Sequence, residues 1–112
     1  MTRLRLALLM TPAALALAGC TLTLPVTGQL QATNEAFSGH ATGHMDGAGE
    51  IELVMANGAR CLGAFVYVNP RQGSGTIKCS DGRTGTLEFV STGRRGTGNG
   101  VLSGAPFTFT FG

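Results

Sequence analysis

The chain is short of the patterns that announce an activity. Beyond Gly47, apolar residues nowhere recur at the 3.6-residue period of an amphipathic helix, which points to strands. No C-x-x-C pair or nearby histidine supplies a zinc-type ligand set. No serine or cysteine has a recognisable base near it in a motif. The paired glycines Gly47-x-Gly49, Gly73-x-Gly75 and Gly96-x-Gly98 lack the following helix whose N-terminus would hold a phosphate, so their likeness to a nucleotide loop is compositional. No second long apolar run follows the first, which excludes a membrane-spanning helix further on. Motifs therefore name no catalytic residue, metal ligand or bound cofactor.

What is present begins with an address. Residues 1–19 carry Arg3 and Arg5, an apolar run from Leu6 to Ala18 broken by Pro12, and small residues at the end, the three parts of a secretory signal. The run falls short of the ~20 residues a spanning helix needs. Its ending, Leu17-Ala18-Gly19-Cys20, resembles the lipobox of bacterial lipoprotein signals. The resemblance implies that Cys20 takes a diacylglyceryl group, that the signal is removed before it, and that the new amine is acylated. The alternative is an ordinary signal cleaved nearby that leaves Cys20 a free thiol. Each buried CH₂ adds roughly 0.8 kcal/mol of membrane affinity, so two or three chains anchor a small domain firmly without spanning the bilayer. The expected location is the cell envelope, and the outer membrane if the envelope is Gram-negative, since Thr21 is not the aspartate associated with inner-membrane retention.

Removing the signal also removes the apparent positive charge. The whole chain has eight basic and six acidic residues. Without Arg3 and Arg5, six basic residues (Arg60, Arg71, Lys78, Arg83, Arg94, Arg95) face six acidic ones. A net charge near zero gives no electrostatic case for nucleic acid or an anionic membrane as partner.

The 93 residues from Cys20 onward make one small domain, of a size that often needs a covalent staple outside the cytosol. With Cys20 assigned to lipid, Cys61 and Cys79 are the remaining pair, and a disulfide between them would contribute about 3 kcal/mol. Residues 20–35 alternate weakly around Pro25 and Gly28 and read as a lipidated tether that can become an edge strand. In the stretch from Phe37 to Gly47, His40 and His44 would share a face roughly 13 Å apart if extended, too far for one metal ion.

From Gly47 on, glycine-punctuated alternation predicts an all-β antiparallel meander, residues 36–112, forming one curved sheet or small barrel after the cleaved signal helix. A loop at Asn57-Gly58-Ala59 sets Met55 opposite Cys61. A loop around Pro70 sets Cys61 opposite Cys79 and Phe65 opposite Gly75. A loop at Asp81-Gly82-Arg83 sets Cys79 opposite Gly85. Together they put Ile51, Leu53, Met55, Cys61, Phe65, Tyr67, Ile77, Cys79, Leu87 and Phe89 on one face, with large residues repeatedly meeting glycine. Glu50, Glu52, Lys78, Thr84, Thr86 and Glu88 fall on the other. Leu62 and Val66 are apolar exceptions there, which implies cover on both sides of that strand. Ser91–Gly100, with Arg94 and Arg95, reads as a mobile turn, and Phe107, Phe109 and Phe111 as the inward side of a last strand.

Gly58-x-x-Cys61-x-Gly63-x-Phe65 resembles part of a MORN repeat, with cysteine in the usual tyrosine position. Through Cys79-Ser80-Asp81-Gly82-Arg83 and the aromatic end, the chain also resembles small glycine-rich two-cysteine lipoproteins of Gram-negative bacteria. Two functions fit. One is a non-enzymatic envelope lipoprotein in structural or protein contacts. The other is a module that blocks an attacking enzyme, because some lipoproteins that inhibit host lysozymes are small disulfide-tied barrels. The second needs a protruding loop, and only Ser91–Gly100, carrying Arg94 and Arg95, and Asn69–Ser74 qualify. Asp81 and Arg83 read as turn residues in preference to a polar site.

Overall fold

The computed structural model of the chain describes residues 21–112; the signal and Cys20 lie outside the described residues. Eight strands follow one another: β1 (Thr21–Leu30), β2 (Ala36–His44), β3 (Ala48–Met55), β4 (Arg60–Tyr67), β5 (Gln72–Cys79), β6 (Thr84–Thr92), β7 (Arg95–Leu102) and β8 (Ala105–Phe111). Each pairs antiparallel with the next, and β1 also pairs with β8, so the meander closes into a small barrel. Closure pairs every described strand on both sides, except that Thr21–Leu24 pair with β2 alone.

One ladder of inward residues shows how the ring is built. It runs from Leu22 through Gly43, Gly49, Phe65, Gly75, Leu87, Gly100 and Phe107, and returns to β1 at Leu30, eight residues beyond its start. Eight strands with an eight-residue stagger tilt by about 36° and enclose a space that side chains can fill. Large residues and glycine share that space around the ring. All six phenylalanines sit directly opposite a glycine: Phe37 on Gly28, Phe65 on Gly49, Phe89 on Gly73, Phe107 on Gly100, Phe109 on Gly98 and Phe111 on Gly96. In every pair the ring lies where a glycine Cβ would be. A glycine strand loses packing, and the aromatic ring across from it restores that packing.

The core is the predicted inward face with residues of β1, β2, β7 and β8 added. Ile51, Leu53, Met55, Cys61, Phe65, Ile77, Cys79, Leu87 and Phe89 are buried together with Val26, Leu30, Phe37, Leu102, Phe107 and Phe109. Tyr67 lies on the expected face. Its ring packs edge-on against Phe65 and Phe89, but it stands at the rim, 37% exposed.

Four expectations are corrected. Residues 21–30, read as tether or edge strand, form β1, because the barrel needs an eighth strand to pair with both β2 and β8. Ser91–Gly100 is the β6–β7 hairpin and not a mobile turn, because β8 places a phenylalanine over each of Gly96, Gly98 and Gly100. Leu62 and Val66 are exposed, since a single-layer barrel has nothing outside its wall. Two hairpin registers are displaced by two residues: Leu53, not Met55, faces Cys61, and Ile77, not Cys79, faces Gly85. In each, the Gly N–H donates back three residues, Gly58 to the Met55 carbonyl and Gly82 to the Cys79 carbonyl. The glycine then takes positive φ as the last loop residue, +92° at Gly58 and +94° at Gly82. A two-residue displacement keeps every side chain on its predicted face. The Cys61–Cys79 and Phe65–Gly75 pairings hold as expected.

The wall is mixed where the lumen is apolar: Glu50, Glu52, Lys78, Thr84, Thr86 and Glu88 are all outward and exposed, beside the exposed Val54, Leu62, Val66, Val90 and Val101. A membrane-spanning barrel has an apolar band outside and a polar interior.

Candidate functional site

The meander gives the barrel two unlike ends. The β1–β2, β3–β4, β5–β6 and β7–β8 connections gather at one; the start of β1, the end of β8 and the other three connections gather at the opposite one.

The first end is closed by charge. Arg83 Nη1 donates to Glu35 Oε1 at 2.9 Å, and Arg83 Nη2 approaches Asp81 Oδ2 at 2.8 Å. Asn57 Nδ2 donates to Asp81 Oδ2 at 3.2 Å, and the Asn57 N–H reaches Glu35 Oε2 at 3.4 Å. The guanidinium thus ties the β1–β2 and β5–β6 connections together, and Asn57 joins the β3–β4 connection to them through the two carboxylates. The hydrogen bond from Arg83 holds the Asp81 carboxyl down to about 2 and lowers Glu35 as well, despite partial burial that opposes both. Arg83 is raised in turn by the two carboxylates. Near neutrality the cluster therefore holds two ionised carboxylates on one guanidinium, which ties the connecting loops together.

Sequence reading marked Asp81 and Arg83 as turn residues and missed Glu35. No local pattern announces Glu35, because 48 residues separate it from Arg83 and only barrel closure brings them together.

The disulfide lies inside the wall. Cys61 and Cys79 are direct cross-strand partners on β4 and β5, joined by an S–S bond with Cα atoms 3.9 Å apart. Cys61 is fully buried, which keeps solvent thiols away from its sulfur.

The opposite end is an apolar mouth. Leu22, Leu24, Ala41, Tyr67 and Phe111 surround a cavity of about 80 Å³ above the core. Ligand pockets for drug-sized molecules run ~300–1,000 Å³, so the lumen is filled by its own side chains. Arg71 stands in the β4–β5 connection, Arg94 in the β6–β7 turn and Arg95 at the start of β7, all at this end. The segments expected to protrude are compact. Thr92 pairs with Arg95, leaving only Gly93 and Arg94 in the turn, and β5 already begins at Gln72.

His40 and His44 both point outward from β2. His44 Nε2 lies 2.6 Å from Glu50 Oε2, and His40 sits across from Glu52. A shallow trough runs along the outer wall of β5 to β8 and β1, lined by rows such as Ser74, Glu88, Asn99, Thr108 and Gln29. Glu88 is the one titratable side chain among its lining residues, so they hold no acid–base pair.

No family model matches the chain, and no curated protein matches it. Among solved structures it is similar to one described as a de novo design of a fluorescence-activating beta barrel. The TM-score is 0.61 at 14% identity, covering 80% of this chain and 88% of that one. The likeness is one of fold alone. Both are small β-barrels.

Proposed function

We propose that the chain is a membrane-anchored lipoprotein of the cell envelope, held by covalent lipid on Cys20 and acting without catalysis in structural or protein contacts. The observation that carries this reading is the join between address and cargo: Leu17-Ala18-Gly19-Cys20 is followed at once by Thr21, the first residue of β1. Cleavage before Cys20 would leave every strand of the barrel intact. The buried Cys61–Cys79 bond fits a compartment outside the reducing cytosol.

A module that blocks the cleft of an attacking enzyme would need a loop that protrudes. The two-residue turn bearing Arg94 supports the structural reading instead.

The test is fractionation of cells expressing the wild type and Cys20→Ala. The wild type is expected in the membrane fraction at mature size, and Cys20→Ala at precursor size without incorporated palmitate. Equal palmitate labelling of the two would refute the lipid site.

A further inference from the structure

We propose that the mouth of the barrel is a membrane-docking surface: the Thr21 end lies on a lipid surface with anionic headgroups, its apolar rim against the acyl boundary and its three arginines among the phosphates. This rests on the lipid anchor proposed above and adds an orientation and a second contact to it.

Covalent geometry sets the distance. Cys20 is bonded to Thr21, so their Cα atoms are about 3.8 Å apart, and Thr21 is already in β1 at the rim. Acyl chains on Cys20 therefore leave the barrel from the mouth itself. Thr21 already pairs with His44 of β2, so no unpaired spacer separates Cys20 from the sheet.

The surface of that end matches the neighbour this imposes. Of the nine exposed large apolar residues among those described, six are there: Leu22, Met45, Val66, Tyr67, Val68 and Val90, with Met45 83% and Val68 65% exposed. Tyr67, an amphipathic ring at the rim, has the character of residues that settle at membrane–water interfaces.

The mouth carries an excess of basic side chains, although the total after signal removal is near zero. Arg71, Arg94 and Arg95 are at the mouth, and among the described residues none is within ion-pair distance of a carboxylate. Two acids stand at the same end, Asp46, which accepts the Ala48 N–H, and Glu50, which faces His44, so the arginines there outnumber the carboxylates. At the closed end, Arg83 is neutralised by Glu35 and Asp81. Unpaired arginines beside an apolar rim complement anionic headgroups over hydrocarbon.

Tyr67 supplies the readout, since the chain has one tyrosine and no tryptophan. Lipidated protein is reconstituted into vesicles of phosphatidylethanolamine and phosphatidylglycerol with either ordinary or brominated acyl chains. Vesicle-bound protein is expected to lose at least half its tyrosine emission to bromine. The triple variant Arg71→Glu, Arg94→Glu, Arg95→Glu should stay bound through its lipid yet recover most of that emission. Lys78→Glu, near the closed end, should behave as the wild type. Bound protein whose Tyr67 is unquenched overturns the docking and leaves the anchor standing. Wild type that fails to bind overturns both.

Discussion

The ring of Phe109 lies directly over Gly98, its cross-strand partner between β7 and β8. The same relation holds for all six phenylalanines of the chain, and it decides how this barrel fills its lumen. A narrow eight-stranded ring cannot hold large side chains at every inward position. Glycine on one strand gives up volume that the ring on the next one uses.

Gly98→Ala should therefore be costly. Its Cβ would meet both the Phe109 ring and the Glu88 carbonyl, and overpacking of this kind costs about 1–3 kcal/mol. Gly43→Ala is the contrast: it is also inward and on a strand, but its nearest neighbour would be the Leu22 carbonyl oxygen at 4.0 Å. That variant should stay within about 0.5 kcal/mol of the wild type. Urea denaturation of the pair separates steric filling from a general intolerance of side chains at these glycines.

Replacing Cys61 and Cys79 together by alanine should lower stability by about 3 kcal/mol, given the 18-residue separation of the bridge. Mass spectrometry of exported protein under alkylation, without reductant, should find neither thiol free. Alkylation of both would remove the staple from the account.

The Arg83 cluster predicts a particular response to acid. Glu35 and Asp81 have folded pKa values below their unfolded ones, so the stability they contribute is full above about pH 4.5 and is lost as the pH falls toward about 2. Arg83→Gln should be less stable than the wild type at pH 6, and the gap should close on acidification. The check is the denaturation midpoint measured from pH 2 to pH 7. Parallel curves for the two proteins would show that the cluster is not what titrates.

Strand parity was legible in the sequence, and exact register was not. Alternation alone assigns Leu53, Phe65 and Leu87 to the lumen, and the structure agrees. Placing the hairpins correctly requires knowing that Gly58 and Gly82 end their loops at positive φ, which turn composition leaves open between two neighbouring positions. β7 was illegible for a different reason. Its inward positions are Gly96, Gly98 and Gly100, and the apolar atoms that make it a strand belong to Phe107, Phe109 and Phe111 of β8. β1 was obscured by Pro25 and Gly28, whose pairing partners on β2 and β8 lie up to 81 residues away, Gly28 with Phe109 being the longest of these. At the closed end, Glu35 joins Arg83 only through the same closure.

The central claim is that the barrel hangs from a lipid on the residue that precedes its first strand. It is tested most directly by extracting the protein from membranes, cleaving it after Glu35, and measuring the mass of its N-terminal peptide. The account predicts a peptide running from Cys20 to Glu35 that carries a diacylglyceryl group and an amide-linked acyl chain. A peptide with an unmodified Cys20, or one that still begins at Met1, would contradict it.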